Sequence, residues 1–175
     1  MQAHDSRSPM PEPLDDRPSL LLVDDDGARF AGFVASDWLE RLRAEVRLLA
    51  GAADADRWSQ RLGPAATAAL RDRVDLELLP TNPARHAADA RVVLAVAIKH
   101  VPTLRVRVFR INPVAYFQSR GGEVDTTLDL DGLAAGWEDI RTLDAPAMVR
   151  QIVRLELPAC DRPGTYVVEL IGGGR

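Results

Sequence analysis

The chain has 175 residues, of which 46% are hydrophobic and 27% charged, and its formal net charge is −4. These values are typical of a globular protein with one ordinary domain, or one small domain plus an appendage, and they exclude an intrinsically disordered chain. The mildly acidic charge lacks the strongly basic balance of proteins that bind nucleic acid through its phosphates.

Residues 1–19 predict a flexible tail, because four prolines stand among charged and small residues. This stretch lacks the apolar core of a signal peptide. The apolar run that follows, Leu20–Val23, is far too short to span a membrane. The sequence therefore shows no targeting or transmembrane segment and leaves the localisation open.

The next segment, residues 20–73, is predicted to be helical. Apolar side chains recur at helical spacing in its first helix, at Trp38, Leu39, Leu42, Val46 and Leu49. Asp37 and Glu40 are expected to form a capping box at the start of this helix. Shorter helices are expected over residues 54–62 and 64–73. The segment has too few large apolar residues to be stable alone, so its apolar stripe must pack on another surface.

The clearest local pattern in the chain covers residues 90–112. Two β-branched runs of period two flank a short turn that contains Pro102, which is typical of a β-hairpin. The first run is apolar on both faces and is expected at the centre of a covered sheet. In the second run Arg105 and Arg107 face outward, and a bulge or strand end is expected at residues 109–111.

Four more strands are predicted around this hairpin, over residues 74–79, 124–131, 153–157 and 165–171. The connection at residues 134–147 is predicted to be irregular, with Trp137 in it. Serial short strands without convincing helices between them favour an antiparallel sandwich. The predicted fold is thus mainly β, with a small helical segment ahead of a sandwich over residues 74–175.

The sandwich region resembles a known family. Residues 97–112 (Ala-Ile-Lys-His-Val-Pro-Thr-Leu-Arg-Val-Arg-Val-Phe-Arg-Ile-Asn) and 163–169 (Pro-Gly-Thr-Tyr-Val-Val-Glu) resemble macroglobulin-like domains. These are immunoglobulin-like sandwiches of large multidomain bacterial proteins of the alpha-2-macroglobulin type. The resemblance covers residues 74–175 and implies a rigid, non-catalytic module that presents surfaces to other proteins. The Cys-Gly-Glu-Gln thioester motif of protease-trapping macroglobulins is not carried over, since Cys160 stands in Pro-Ala-Cys-Asp-Arg.

Catalytic and metal-binding motifs are not found in the sequence. His4, His86 and His100 are scattered without zinc spacing, and no nucleophile motif accompanies them. Cys160 is the single cysteine and is expected to be an inert thiol. The sequence therefore predicts a protein that is not an enzyme, with no catalytic residues, no cofactor and no metal site.

Two acidic clusters suggest chemistry that other features disfavour. The run 21–27 resembles the start of a response-regulator receiver, but the serial strands lack the alternating β and α units of that fold. Acidic side chains at Asp125, Asp129, Asp131 and Glu138 could gather around calcium, yet the spacing lacks the glycine of an EF-hand loop. An acidic turn and a solvated strand face are the favoured interpretations.

Partner-binding residues are predicted in two places. The basic residues Arg105, Arg107 and Arg110, together with Lys99, predict one basic face that could meet an acidic partner. The loop aromatics Tyr116, Phe117 and Trp137 could stack on a sugar or plug the open end of the sandwich.

The function favoured by these patterns is that of a structural, protein-interaction module. The partners would be neighbouring domains or other proteins, with no nucleic acid. Residues 172–174 are glycines directly after a strong strand, which suggests a fragment of a large multidomain protein. The alternative is a carbohydrate- or ligand-binding sandwich that uses the loop aromatics.

Overall fold

The computed structural model describes residues 32–124 and 128–174. The predicted tail, the receiver-like run at 21–27 and Asp125 lie outside the described residues. Among the described residues, no helix has both the length and the apolar character needed to cross a membrane.

Within the described residues, three helices precede the sheets: α1 Ser36–Leu49, α2 Ala55–Leu62 and α3 Pro64–Asp72. We call residues 36–72 the helical unit. The predicted capping box is wrong, because the N-cap residue of α1 is Ala35 and no side chain caps it. Asp37 lies instead in the first turn, where a carboxylate stabilises the positive end of the helix dipole.

The helical unit has a small core of its own. Its buried residues come from all three helices and are Ala44, Leu48, Trp58, Leu62 and Leu70. Met148, from the connection before the fifth strand, packs against this cluster. The unit therefore completes its core with a residue of the sandwich. Of the predicted apolar stripe, Leu49 packs against this core, whereas Trp38 is exposed, and the residues of α1 that are buried are Ala44 and Leu48.

The described residues form six antiparallel strands in two sheets: β1 Asp75–Leu78, β2 Val93–Lys99, β3 Thr103–Ile111, β4 Trp137–Thr142, β5 Gln151–Glu156 and β6 Thr165–Gly172. One sheet has the order β1-β2-β5 and the other the order β4-β3-β6. Their inner faces enclose the main core, to which β2 contributes Val96 and Ile98 and β3 contributes Leu104 and Val106. The predicted mainly-β, immunoglobulin-like sandwich preceded by helices is confirmed.

The predicted hairpin at residues 90–112 is wrong. Strand β2 pairs with β1 and β5, whereas β3 pairs with β4 and β6, so the short turn carries the chain from one sheet to the other. His100 has a φ of 55° in this turn, and Val101 is buried beneath it. The apolar rows of the two strands face each other across the core instead of lying side by side in one sheet.

The segment between β3 and β4 also differs from the prediction. Strand β3 has no bulge and stays in register with β6 to its last residue. It is followed by a helix, α4 Pro113–Arg120, where a loop was expected. The Asn112 side chain caps α4 by accepting hydrogen bonds of 3.1 Å from the backbone N–H groups of Val114 and Ala115.

Of the strand predicted over residues 124–131, residues 124 and 128–131 form no strand, and residues 125–127 lie outside the described residues. Asp129 Oδ1 accepts a hydrogen bond of 2.9 Å from the backbone N–H of Asp131, which bends the chain there. Strand β4 lies instead at Trp137–Thr142, in the stretch predicted to be irregular. Its half-buried face carries Asp139 and Arg141, an ion pair of 2.8 Å, so polar residues stand where an apolar row would mark a strand.

The helical unit is joined to one end of the β1-β2-β5 sheet, where β2 ends and β1 and β5 begin. The backbone N–H of Arg150 donates to the carbonyl of Leu49 at 2.8 Å. Lys99 Nζ donates to the carbonyls of Arg71 at 3.0 Å and Arg73 at 2.6 Å. These bonds join the C-terminal ends of α1 and α3 to the sandwich, and the division of the chain at residue 73 stays a prediction.

Candidate interaction surfaces

The predicted basic face is largely neutralised by acidic neighbours. Arg105 and Arg107 lie on the outer face of the β4-β3-β6 sheet, beside glutamates of the flanking strands. Arg107 Nη1 is 2.8 Å from Glu169 Oε2, and Arg105 Nε is 3.5 Å from Glu138 Oε1. Cross-strand pairs of this kind stabilise the sheet by a modest amount. Arg110, the third predicted residue, reaches the carbonyl of Pro163 at 3.4 Å.

Lys99 does not belong to this face, which corrects the prediction. Its side chain is 1% exposed and lies under the helical unit. Burial lowers the pKa of its ammonium group, and the nearby Asp75 carboxylate opposes that shift. Asp75 itself forms a two-pronged ion pair with Arg73, at 2.9 and 3.1 Å. Lys99 is therefore a structural residue of the interface between the helical unit and the sandwich.

The predicted aromatic residues do not share one platform. Tyr116 and Phe117 lie on α4, where Phe117 is 56% exposed, while Trp137 packs against the core of the sandwich. Val114, which the sequence interpretation did not single out, is exposed one helical turn before Phe117 and adds an apolar neighbour. A partner-binding role for Arg105, Arg107, Arg110 and the three aromatics stays a prediction.

Two exposed aromatic side chains stand at the start of the helical unit. Phe33 is 88% exposed and Trp38 is 54% exposed. Trp38 lines an open groove of about 630 Å³, together with Ala35, Asp37, Glu40, Arg41 and Arg61. The apolar spacing of α1 predicts that Trp38 is buried, which is wrong, because helical spacing alone does not show where an apolar face ends. Phe33 precedes the helix and belongs to no periodic pattern.

A second feature of the helical unit is a buried tryptophan surrounded by arginines. Trp58 is 6% exposed, and its Nε1 donates to Asp54 Oδ1 at 2.8 Å. Four guanidinium carbons lie 5.4 to 6.0 Å from the centroid of its ring, those of Arg43, Arg47, Arg57 and Arg61. We call these four residues the arginine cluster. Such contacts between cations and an aromatic face are weakly attractive.

The members of the arginine cluster differ in their acidic partners. Arg61 is 3.6 Å from a Glu40 oxygen, and Arg57 is 3.9 Å from an Asp54 oxygen. Arg43 and Arg47 each have a buried Nε that meets no hydrogen-bond partner among the described residues. The sequence held a partial signal for this cluster, since Arg43 and Arg47 are four residues apart, as are Arg57 and Arg61. Each pair therefore lies on one face of its helix.

The described part of the chain offers little support for a metal site or a nucleophilic cysteine. No group of three histidine, cysteine or acidic side chains is arranged to hold a metal ion there. Burial and the neighbouring Asp161 carboxylate raise the pKa of the Cys160 thiol, which disfavours the nucleophilic thiolate.

Comparison with known proteins relates both parts of the chain to one family. Residues 19–74 match the family model described as the Actin-binding protein F N-terminal domain, and residues 104–175 match the AbpF first immunoglobulin-like domain. The chain is 30% identical over 159 residues to Actin-binding protein F of Dictyostelium discoideum. The match covers 89% of this chain but 7% of that relative, so the chain spans a small part of its length. No solved structure matches the chain.

These matches correct two expectations. The immunoglobulin-like part of the predicted resemblance is confirmed, but the matching family is not a macroglobulin-like one. The expected bacterial origin is also unsupported, since the matching relative is a eukaryotic protein. The chain contains an immunoglobulin-like domain preceded by helices, and it is similar to the N-terminal and first immunoglobulin-like domains of Actin-binding protein F.

Proposed function

We propose that this chain is a non-catalytic, actin-binding module of a larger protein. The observation that carries the proposal is the pair of family matches, which fall on one chain in the order N-terminal domain and first immunoglobulin-like domain. The relative that matches across both regions is named for binding actin. The mechanism would be the presentation of a shaped surface, with no turnover.

The groove beside Trp38 is the surface that we assign to the actin contact. Exposed aromatic side chains are enriched among the residues that contribute most to binding at protein interfaces, because they bury a large area at a small entropic cost. Trp38 lies in the segment that matches the N-terminal domain. Phe33, five residues earlier, adds a second exposed aromatic side chain to the same end of α1.

Rigid docking of the helical unit supports the same proposal. The bonds from Lys99 to the end of α3, and from Arg150 to the end of α1, fix the unit on the sandwich at two separate points. A binding surface that is ordered before contact loses less conformational entropy when it binds. The groove is thus carried on a preformed scaffold.

Co-sedimentation of the 175-residue chain with filamentous actin tests the proposal. We expect the wild-type chain to pellet with the filaments, and we expect Trp38→Ala to weaken binding by at least about tenfold, the loss typical of an aromatic anchor. Phe117→Ala is the matched control, because it removes an aromatic side chain of similar exposure from α4. Circular dichroism and the melting temperature confirm that each variant is folded.

Two outcomes of this assay would contradict the proposed function or the assignment of the groove. If the wild-type chain stays in the supernatant at actin concentrations up to about 100 μM, where a contact of only −5.5 kcal/mol would be detected, the proposed function is wrong. If it pellets and only Phe117→Ala weakens binding, the module binds actin, but through the sandwich instead of the groove.

A further inference from the structure

The arginine cluster concentrates positive charge on one face of the helical unit. All four guanidinium carbons lie within 6.0 Å of one ring centroid, so any two of them are at most roughly 12 Å apart, about one Debye length at moderate salt. Like charges at this separation repel each other, and the attraction of the Trp58 ring offsets only part of that repulsion.

The acidic residues of the unit leave half of the cluster unpaired. Glu40 and Asp54 approach Arg61 and Arg57, and both of those contacts are longer than 3.5 Å. In the described part of the chain the buried Nε of Arg43 and that of Arg47 meet no hydrogen-bond partner, whereas buried polar groups of proteins are normally paired. These two Nε atoms are not accessible to a partner, so a further anionic group would reach the cluster through side chains that are exposed, as in Arg57 and Arg61, or half-buried, as in Arg43 and Arg47.

We infer that the arginine cluster binds carboxylates of an acidic segment on a partner protein. Guanidinium groups present pairs of N–H donors that match the two oxygens of a carboxylate. The Trp58 ring, against which all four are held, orders them before any partner arrives. The inference deepens the proposed function, since it names the chemistry of the partner surface, and it rests on that function for the identity of the partner.

Continuity with the groove supports a protein as the occupant. Arg61 belongs to the arginine cluster and also lines the groove beside Trp38, so one partner surface can cover both. An anionic bilayer or a nucleic acid fits less well, because the whole chain carries a net charge of −4 and would be repelled by an extended polyanion.

The double variant Arg43→Met/Arg47→Met tests the inference. Methionine keeps an unbranched stem over the Trp58 ring and removes the charge. The matched control is Arg91→Met/Arg162→Met, which removes the same charge from exposed arginines of the sandwich that already form ion pairs. If the first variant fails to melt cooperatively, Arg57→Met/Arg61→Met replaces it, because those side chains are 65% and 45% exposed.

The assay has two arms, and the first uses filamentous actin. If the wild-type chain pellets, we expect the cluster variant to bind at least about tenfold more weakly and the control variant to stay within about twofold. Equal binding by the wild type and the cluster variant would overturn the inference and leave the proposed function intact.

The second arm decides the matter if the wild-type chain does not pellet, a result that defeats the proposed function alone. The probe is then a fluorescein-labelled hexaglutamate peptide, followed by anisotropy at about 50 mM salt, where exposed charges are weakly screened. Binding that is lost in the cluster variant and kept in the control supports the inference. Absence of wild-type binding overturns it, as does binding to phosphatidylserine vesicles but not to hexaglutamate.

Discussion

Lys99 joins the C-terminal end of α3 to the sandwich, and replacing it with methionine isolates that contact. The ammonium group donates to the carbonyls of Arg71 and Arg73, at 3.0 and 2.6 Å. These carbonyls lie at a helix end, where no intrahelical N–H is available to satisfy them. Methionine has a similar length and is apolar, so Lys99→Met fills the site but leaves both carbonyls without this partner.

The magnitude of the loss follows from two opposing effects. Hydrogen bonds to a charged group contribute about 1.5–3 kcal/mol each, so the two bonds together contribute about 3–6 kcal/mol. Removing a buried charge relieves a desolvation penalty, and the new apolar side chain gains packing, which together offset part of this loss. We expect Lys99→Met to lower the free energy of unfolding by about 2–3 kcal/mol.

Urea denaturation followed by circular dichroism measures this difference, with Arg105→Met as a control for removal of one positive charge from an exposed, paired position. We expect the control to change the free energy of unfolding by less than about 1 kcal/mol. A loss below about 0.5 kcal/mol for Lys99→Met would refute the reasoning, because it would mean that the carbonyls gain nothing from the ammonium group.

The pH dependence of the free energy of unfolding gives an independent measurement of the burial of Lys99. Burial lowers the pKa of Lys99 in the folded state, so the folded chain binds fewer protons than the unfolded chain at alkaline pH. The free energy of unfolding therefore rises with pH between the folded-state pKa and the higher pKa of the unfolded chain, and this contribution is lost as the pH falls through the folded-state pKa. We expect Lys99→Met to remove this rise; an unchanged alkaline profile would contradict the assignment.

Three further predictions concern the sandwich. Gly172→Ala should lower the free energy of unfolding in urea by about 1–3 kcal/mol, because the added Cβ would lie 2.5 Å from a methyl of the buried Val101. Gly136→Ala should be nearly neutral, since the added Cβ would meet only the carbonyl of Val108, at 3.7 Å. Similar stability of the two glycine variants would contradict this packing. Asn82→Ala should lower the free energy of unfolding by about 1–3 kcal/mol, because the Asn82 side chain accepts from the N–H of Ala95 at 2.7 Å and donates to its carbonyl at 2.8 Å. An unchanged urea midpoint would show that water replaces these two hydrogen bonds. Iodoacetamide should alkylate Cys160 at pH 8 more slowly than free cysteine, because the pKa of this thiol is raised, and a faster rate would contradict that shift.

The secondary structure of the helical unit follows from local sequence signals. Apolar spacing and the glycines at positions 51 and 63 place all three helices close to their observed bounds. The pairing of β2 with β3 was mistaken because alternation tells which residues face inward, and those rows are the same in a hairpin and in a turn between two sheets. Strand β4 was missed since Asp139 and Arg141 pair with each other on its half-buried face.

The candidate surfaces were harder to predict because they depend on distant contacts. The glutamate that neutralises Arg107 lies 62 positions away, on β6, and only the sheet register brings the two together. The arginine cluster comes from two helices, so it is visible only when Arg43 and Arg57 are placed around the same ring. Exposure of Trp38 depends on the direction in which α1 packs, which the spacing of its apolar residues leaves undetermined.

The position of Met148 has a consequence for folding during synthesis. Domains generally fold in the order in which they leave the ribosome, from the N-terminus onward. Here the three helices emerge first, yet the cluster around Leu48 and Trp58 is completed by a methionine that is synthesised after β4. The contact between this cluster and Met148 can therefore form only after most of the sandwich has been synthesised, so the helices cannot complete their packing while they alone have left the ribosome.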